Sequence, residues 1–360
     1  MNPTLRPRAG YAEDPCCPCI SRALIGYCRA LVLLGDTVSL PTLEAIEAAA
    51  DLVYRRLSAT PQICWPLLAE RLDCELWLKH ENHCETGSFK VRGGLVYLDE
   101  CRDLCANGVV AATRGNYGQS VGFAARASGT PALIVVPKGN SPDKNRAMRA
   151  LGVELVVAGS DFDESAQAAR ELAEARGMHL MPSFAAPLVR GVGTYAVELF
   201  RHLPDLQRVY VPIGLGSGIC GVAAVRNALA PDVEIVGVVA EGANAYLQSF
   251  EAGGVRTTNE ARTIADGLAV RIPNEAALGH VLDNVHHIVA VSDDDVLRAM
   301  GWIYSDTHNV AEGAGAAAVA AVALEREDNA GRQVAAVVTG GNVAAPLYAR
   351  ALATLAERPA

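Results

Sequence analysis

The sequence predicts an α/β fold from Leu76 onward, with mostly parallel sheets and helices on both faces. Two observations carry this. Short Val/Ile-rich runs recur along the chain, and Ala-rich or amphipathic stretches of helix length lie between them. Strands spaced by such helices make βαβ units and parallel sheet. Three of the runs also end in glycine and small polar residues, as ligand-facing loops do at the carboxyl edge of an open sheet. The 360-residue chain is 51% hydrophobic and 20% charged, enough for one large domain or two moderate ones.

Taken in order, residues 1–35 show no pattern and read as an N-terminal extension. Cys16, Cys17, Cys19 and Cys28 cluster there, but no histidine or cysteine pair follows at zinc-finger spacing, so no metal is expected. Arg29 interrupts the modest apolar stretch 23–35 and argues against a signal peptide. At 85–94, Gly87 and Ser88 supply a turn and an N-cap, and a helix follows with apolar residues Leu95, Tyr97 and Leu98. Strands are expected at 109–113, 132–137, 154–158, 208–213, 234–240 and 333–339. Helices are expected at 161–176, 188–203 and 219–229. Ser160 with Asp163, and Ser292 with Asp295, read as capping boxes, so the run 293–295 is helix-start chemistry and not a metal site. The Gly/Ala/Val stretch 313–324 suits a closely packed buried helix.

Charge and cysteine usage narrow the function. A formal net charge of -9 and a pI near 5.4 speak against nucleic acid or an anionic membrane as partner. No run approaches the roughly 18 to 20 apolar residues that span a bilayer. The ten cysteines are scattered, which fits reduced thiols in a cytoplasmic protein better than a disulfide framework.

Lys90 is placed at the start of a helix, where the macrodipole disfavours its charged form. Burial would lower its pKa further and make the amine a nucleophile or base. Three strand ends could surround it: Thr113-Arg114-Gly115-Asn116-Tyr117, the glycine-rich turn 214–221, and Thr339-Gly340-Gly341-Asn342. Strand, glycine turn and helix at 208–229 form an anion site. The same turn satisfies G-x-G-x-x-G through Gly216, Gly218 and Gly221, with Glu241 twenty residues on. An NAD(P)-dependent oxidoreductase is therefore an alternative reading.

Together the motifs resemble the fold type II pyridoxal-phosphate enzymes: serine/threonine dehydratases, serine racemases, 3-hydroxyaspartate dehydratases and their relatives. Thr86 to Gly93 matches the T-G-S-F-K-x-R-G segment, 113–117 the asparagine loop, 214–218 the phosphate loop and 339–342 the terminal S-G-G-N. The likeness runs from about Val38 to Asn342 and includes 263–267 and the stretch around Glu312.

The resemblance implies a tryptophan-synthase-β-like architecture of two domains. Residues 36–106 and 186–360 would form a large cofactor-binding domain, and 107–185 a small mobile one. It also implies that Lys90 holds pyridoxal 5'-phosphate covalently and then serves as base. Phe89 would flank the ring, Asn116 would bond its hydroxyl, and Gly214, Leu215, Gly216, Ser217 and Gly218 would hold the phosphate. Thr339 would offer the pyridine nitrogen a neutral hydroxyl. Ser88, Thr113, Arg114, Gly115 and Tyr117 would meet the substrate.

The chain departs from the family in three places. Leu215 and Ser217 replace glycines, and Leu215 is tolerable if its side chain turns away. Tyr117 replaces a histidine. Arg114 stands where racemases carry a serine base; a guanidinium stays protonated, which makes racemisation improbable and suits pairing with a substrate carboxylate. Relatives also bind a divalent cation near the position of Glu241, but Asn244, Tyr246 and Gln248 occupy the region of the second acid, and no metal is expected. The expected activity is a dehydratase (ammonia-lyase) acting on threonine or serine, or on threo-3-hydroxyaspartate through Arg114, in a homodimer. A non-catalytic amino-acid-binding relative is the remaining alternative.

Overall fold

The structure, a computed structural model, describes residues 39–160 and 162–356; the N-terminal extension with its four cysteines lies outside them. The chain begins with helix α1 (Leu43–Val53), strand β1 (Gln62–Cys64), α2 (Pro66–Leu72) and β2 (Glu75–His80). Helix α3 (Lys90–Glu100) leads into β3 (Val109–Ala112), α4 (Asn116–Ser128), β4 (Ala132–Val136), α5 (Pro142–Ala150), β5 (Glu154–Val157), α6 (Phe162–Arg176) and β6 (His179–Leu180). Then come α7 (Ala186–His202), β7 (Arg208–Pro212), α8 (Ser217–Leu229), β8 (Glu234–Ala240), α9 (Ala245–Glu251), α10 (Glu275–Asn284), β9 (His287–Val291) and α11 (Asp293–Thr307). The chain closes with α12 (Gly313–Leu324), α13 (Arg326–Asn329), β10 (Gln333–Val338) and α14 (Ala345–Ala353).

A six-stranded sheet has the order β1-β2-β10-β7-β8-β9, and a four-stranded sheet the order β5-β4-β3-β6. Every pairing is parallel except β1 with β2. Alternate residues of one strand enter different cores, as the two-residue period of a strand requires. Val209, Val211, Ala335 and Val337 pack with α7 and α8, whereas Tyr210, Val334, Ala336 and Val338 pack with α11 and α12. In the small sheet, Val109 and Ala111 face α3 and α4, and Val110 faces Ala169 and Ala173 of α6. Helices therefore cover both faces, as expected for parallel sheets.

The Val/Ile runs became strands within a residue of their expected ends. Two details differ. Ser88 does not cap α3. Phe89, in αR conformation, is the N-cap, while the Ser88 backbone bridges to Gly340 and its buried Oγ has no hydrogen-bond partner. The backbone N–H and Oγ of Ser160 donate to Glu164, not Asp163, whose carboxylate pairs with Arg271. The Ser292–Asp295 box forms as expected, and among the described residues no cluster suited to a metal is present.

Helix α3 is held from below by buried charges. Arg92, fully buried, donates to Glu81 from Nε (2.8 Å) and Nη2 (3.0 Å), and to Glu198 from Nη1 (2.7 Å). Lys79 also pairs with Glu198 and donates to the Thr60 carbonyl at 2.7 Å. From the side, α3 meets α7 backbone to backbone: a Cβ at Gly93 would lie 2.8 Å from the Leu188 carbonyl oxygen. Arg92→Leu leaves Glu81 and half of Glu198 buried without their cation. The expected loss is about 3–5 kcal/mol of unfolding free energy, measured by denaturant titration.

Candidate active site

The segment before α3 is fastened to the loop after β10. The backbone N–H of Phe89 donates to the Thr339 carbonyl at 3.2 Å, and that of Gly341 to the Gly87 carbonyl at 2.9 Å. Asn342 Nδ2 donates to the Thr86 carbonyl (2.8 Å) and to Asn116 Oδ1 (2.9 Å). Asn116, the first residue of α4, donates in turn to Glu312 Oε1. Glu312 is the N-cap residue of α12, and its own N–H donates to the Gly340 carbonyl at 3.0 Å. The loop after β2, the loops after β3 and β10, and the start of α12 thus converge on one point.

Lys90 sits at that point. Its Nζ has no hydrogen-bond or ion-pair partner among the described residues and lies 4.8 Å from the Phe89 ring centre. Burial pushes the amine below the ordinary lysine range, with the Glu312 carboxylate working against the shift. Burial raises the pKa of Glu312 itself, and Lys144 and Asn116 oppose it. Lys144, on α5, reaches Asp266 at 3.0 Å and Glu312 at 3.7 Å. Burial would lower its pKa, but the two carboxylates outweigh it and the pKa is raised. The result is an amine tuned toward its neutral form, beside a carboxylate whose charge a second lysine balances. Lys144 carried no sequence signal for this role, and Glu312 only marked a stretch of the family likeness, because the partners are far apart in the chain.

The glycine-rich turn forms a second wall. Gly216 has φ +101°, a left-handed conformation that glycine adopts without strain, and it precedes the first residue of the thirteen-residue helix α8. A Cβ at Gly214 would lie 2.5 Å from the Gly267 carbonyl oxygen, so this loop packs directly on 263–267. Tyr246, which sequence reading missed as a support, donates to the Leu215 carbonyl at 3.3 Å and accepts from the Asn274 N–H at 3.2 Å. Phe89 belongs to the core and also lines the narrow pocket between this turn and Lys90, stacked edge-on against Tyr195 at 6.0 Å.

That pocket is lined by Phe89, Lys90, Asn116, residues 214–218, Glu312 and Thr339. It shares Lys90, Asn116, Leu215 and Ser217 with a larger cavity of about 520 Å³, to which Thr113, Arg114, Gly115 and Tyr117 also contribute. Leu215 lines both spaces. Tyr117 donates its hydroxyl to the Pro182 carbonyl. Arg114 is exposed on the cavity wall, with no hydrogen-bond or ion-pair partner among the described residues. Two residues fall outside: Ser88 lines neither space, and Glu241 is exposed and lines neither. The acidic member of the dinucleotide fingerprint is therefore not assembled with the cavity.

Residues 53–340 match the family model described as "Pyridoxal-phosphate dependent enzyme". An L-threonine ammonia-lyase of Thermotoga maritima is 35% identical over 306 residues, 84% of this chain and 76% of that protein. An L-threo-3-hydroxyaspartate ammonia-lyase of Saccharomyces cerevisiae is 29% identical over 321 residues, 89% of this chain and 98% of that protein. Among solved structures, the processed form of threonine deaminase isoform 2 from Solanum lycopersicum is similar with a TM-score of 0.82 and 29% identity, covering 90% of this chain and 95% of that one.

The Lys90–Glu312 pair gives a pH-dependent test. An amine attacks an aldehyde only when neutral, a form present above its pKa. Glu312 favours the ammonium, so Glu312→Gln should lower the Lys90 pKa further. Borohydride-trapped capture of pyridoxal phosphate by the protein freed of cofactor is expected to persist to lower pH in the variant than in the parent.

Proposed function

We infer the reaction from the premise that this chain belongs to the pyridoxal-phosphate dependent enzymes: it is a dehydratase (ammonia-lyase) that takes a β-hydroxy-α-amino acid to an α-keto acid and ammonia. The fold is that of the fold type II members, and its relatives are threonine and hydroxyaspartate ammonia-lyases. The observation that carries the reading is Lys90. It is an amine without a partner, depressed in pKa, at the junction of a narrow pocket and a large cavity.

The residues present fit the cofactor. Lys90 would hold its aldehyde carbon, the amides of 214–218 at the start of α8 its phosphate, Asn116 its ring hydroxyl, and Thr339 its ring nitrogen. When bound, pyridoxal phosphate supplies an electron sink for the electron pair left at Cα. The chain's own groups do the rest. The neutral Lys90 amine takes the Cα proton. Glu312 and Asn116 form a bonded pair on the same wall, which keeps the Asn116 amide oriented. The β-hydroxyl departs with a proton as water, and hydrolysis of the resulting enamine's imine form returns ammonia and the keto acid. Arg114 offers no base on the opposite side, so elimination and not racemisation follows.

Residues 107–185, with the four-stranded sheet, would act as the small domain that closes over substrate. Lys144–Asp266 and Asp163–Arg271 are ion pairs across which it could close. Among the described residues the six cysteines are all free, which supports a reducing, cytoplasmic setting. No helix among them is long and apolar enough to cross a membrane. A homodimer is part of the proposal on family grounds, to be checked by light scattering.

Purified protein is expected to show a visible absorption band that borohydride bleaches and Lys90→Ala abolishes. The same variant should lower keto-acid release from serine, threonine or 3-hydroxyaspartate by on the order of 10³-fold. Colourless protein that binds a nicotinamide cofactor would overturn the reading. Cofactor uptake with no keto acid from any of these substrates would mark a binding protein instead.

A further inference from the structure

We propose that Arg114 forms a subsite for a second anionic group, and that the preferred substrate is a dicarboxylic β-hydroxy-α-amino acid of the 3-hydroxyaspartate class. This rests on the dehydratase reading and deepens it.

The charges on the 520 Å³ cavity carry the inference. Besides Lys90, four cations line it, and three of them are already matched. Lys144 pairs with Asp266 at 3.0 Å, Arg262 with Glu260 at 2.9 Å, and Arg271 with Asp163. Arg114 is the fourth; among the described residues it has no acidic partner, although acids line the same cavity. A guanidinium cannot shed its proton, so closing the cavity over it without an anion would strand a charge away from water.

A single α-carboxylate does not need Arg114. The start of α4, a thirteen-residue helix, lies on the cavity wall at Asn116 and Tyr117, and a helix start offers an anion free backbone N–H groups and the positive end of the dipole. Arg114 lies two residues ahead of Asn116, in a loop pinned by the Gly115 N–H donating to Thr113 Oγ1 at 3.0 Å. It is thus placed beside a carboxylate held at that helix end, and adds one positive charge that a monocarboxylic substrate leaves unmatched. A β-carboxylate accepts both arms of the guanidinium fork and matches it. Tyr117 does not compete, because its hydroxyl is engaged by Pro182.

The experiment compares kcat/KM of the holoenzyme for L-threo-3-hydroxyaspartate and L-threonine in the parent, Arg114→Ser and Arg114→Lys. The parent is expected to prefer the dicarboxylate. Arg114→Ser should cut the ratio of the two values by roughly 10- to 100-fold, and Arg114→Lys, which keeps charge but loses the fork, should fall between. A ratio unchanged by Arg114→Ser, or a parent that favours threonine, overturns the subsite and leaves the dehydratase reading standing. If neither substrate yields keto acid, the dehydratase reading fails, and binding still decides the subsite. L-malate should then raise the melting temperature more than L-lactate in the parent but not in Arg114→Ser; equal shifts in the parent would overturn it.

Discussion

The placement of Lys90 depends on Arg92, two residues further along the same helix and out of reach of water. Its guanidinium spans Glu81, just beyond β2, and Glu198 on α7, and Lys79 closes the set. Burying these charges carries a large desolvation penalty, offset only because each has several well-directed partners. Thr60 donates to Glu81, Arg92 to Thr194, and Tyr54 to Glu198 at 2.6 Å. Such a network is a poor source of stability compared with apolar packing. Its value is geometric: one arrangement satisfies all members, and that arrangement fixes where β2, α7 and the first turn of α3 meet. The hydrogen bonds from Phe89 and Gly341 then set the last few ångströms.

Above that foundation, the site is an exercise in keeping one amine neutral and one carboxylate balanced. Four loops or helix starts from three parts of the chain close on Lys90, and their hydrogen bonds run in sequence from Thr86 through Asn342 and Asn116 to Glu312. The end of this chain is electrostatic. Glu312 is buried, and Lys144 arrives from helix α5 to offset it. Because Lys144 also holds Asp266, α5 is tied by charge to the 263–267 segment on the wall of the large cavity.

Much of this was legible in the sequence, for identifiable reasons. Val/Ile runs bounded by glycine carry a strong strand signal, so β3, β4, β5, β7, β8 and β10 could be read within a residue. β1 and β6 could not, since three and two residues are too short to show a period. Lys90, Asn116 and the glycine turn stood out because each lies in a compact local pattern. Lys144 and Tyr246 did not, since their importance arises from contacts made only after folding. Ser88 and Ser160 mark a finer limit. Each was read one position or one partner away from the truth, because capping depends on the entry angle of the chain, which the sequence leaves open.

Helix α12 has a further consequence. It is built mostly of alanine, with Gly313 and Gly315 where it passes the loops at Ala265 and Gly340, and it is buried along ten consecutive residues. Alanine side chains have no rotamers to freeze, so ordering this segment loses almost no side-chain entropy. The residue at its head, Glu312, is thereby mounted on a stiff rod that lies flat against β10 and β7. A carboxylate fixed in this way responds to a change of charge at Lys90 by shifting its proton equilibrium, since it has little freedom to shift its position.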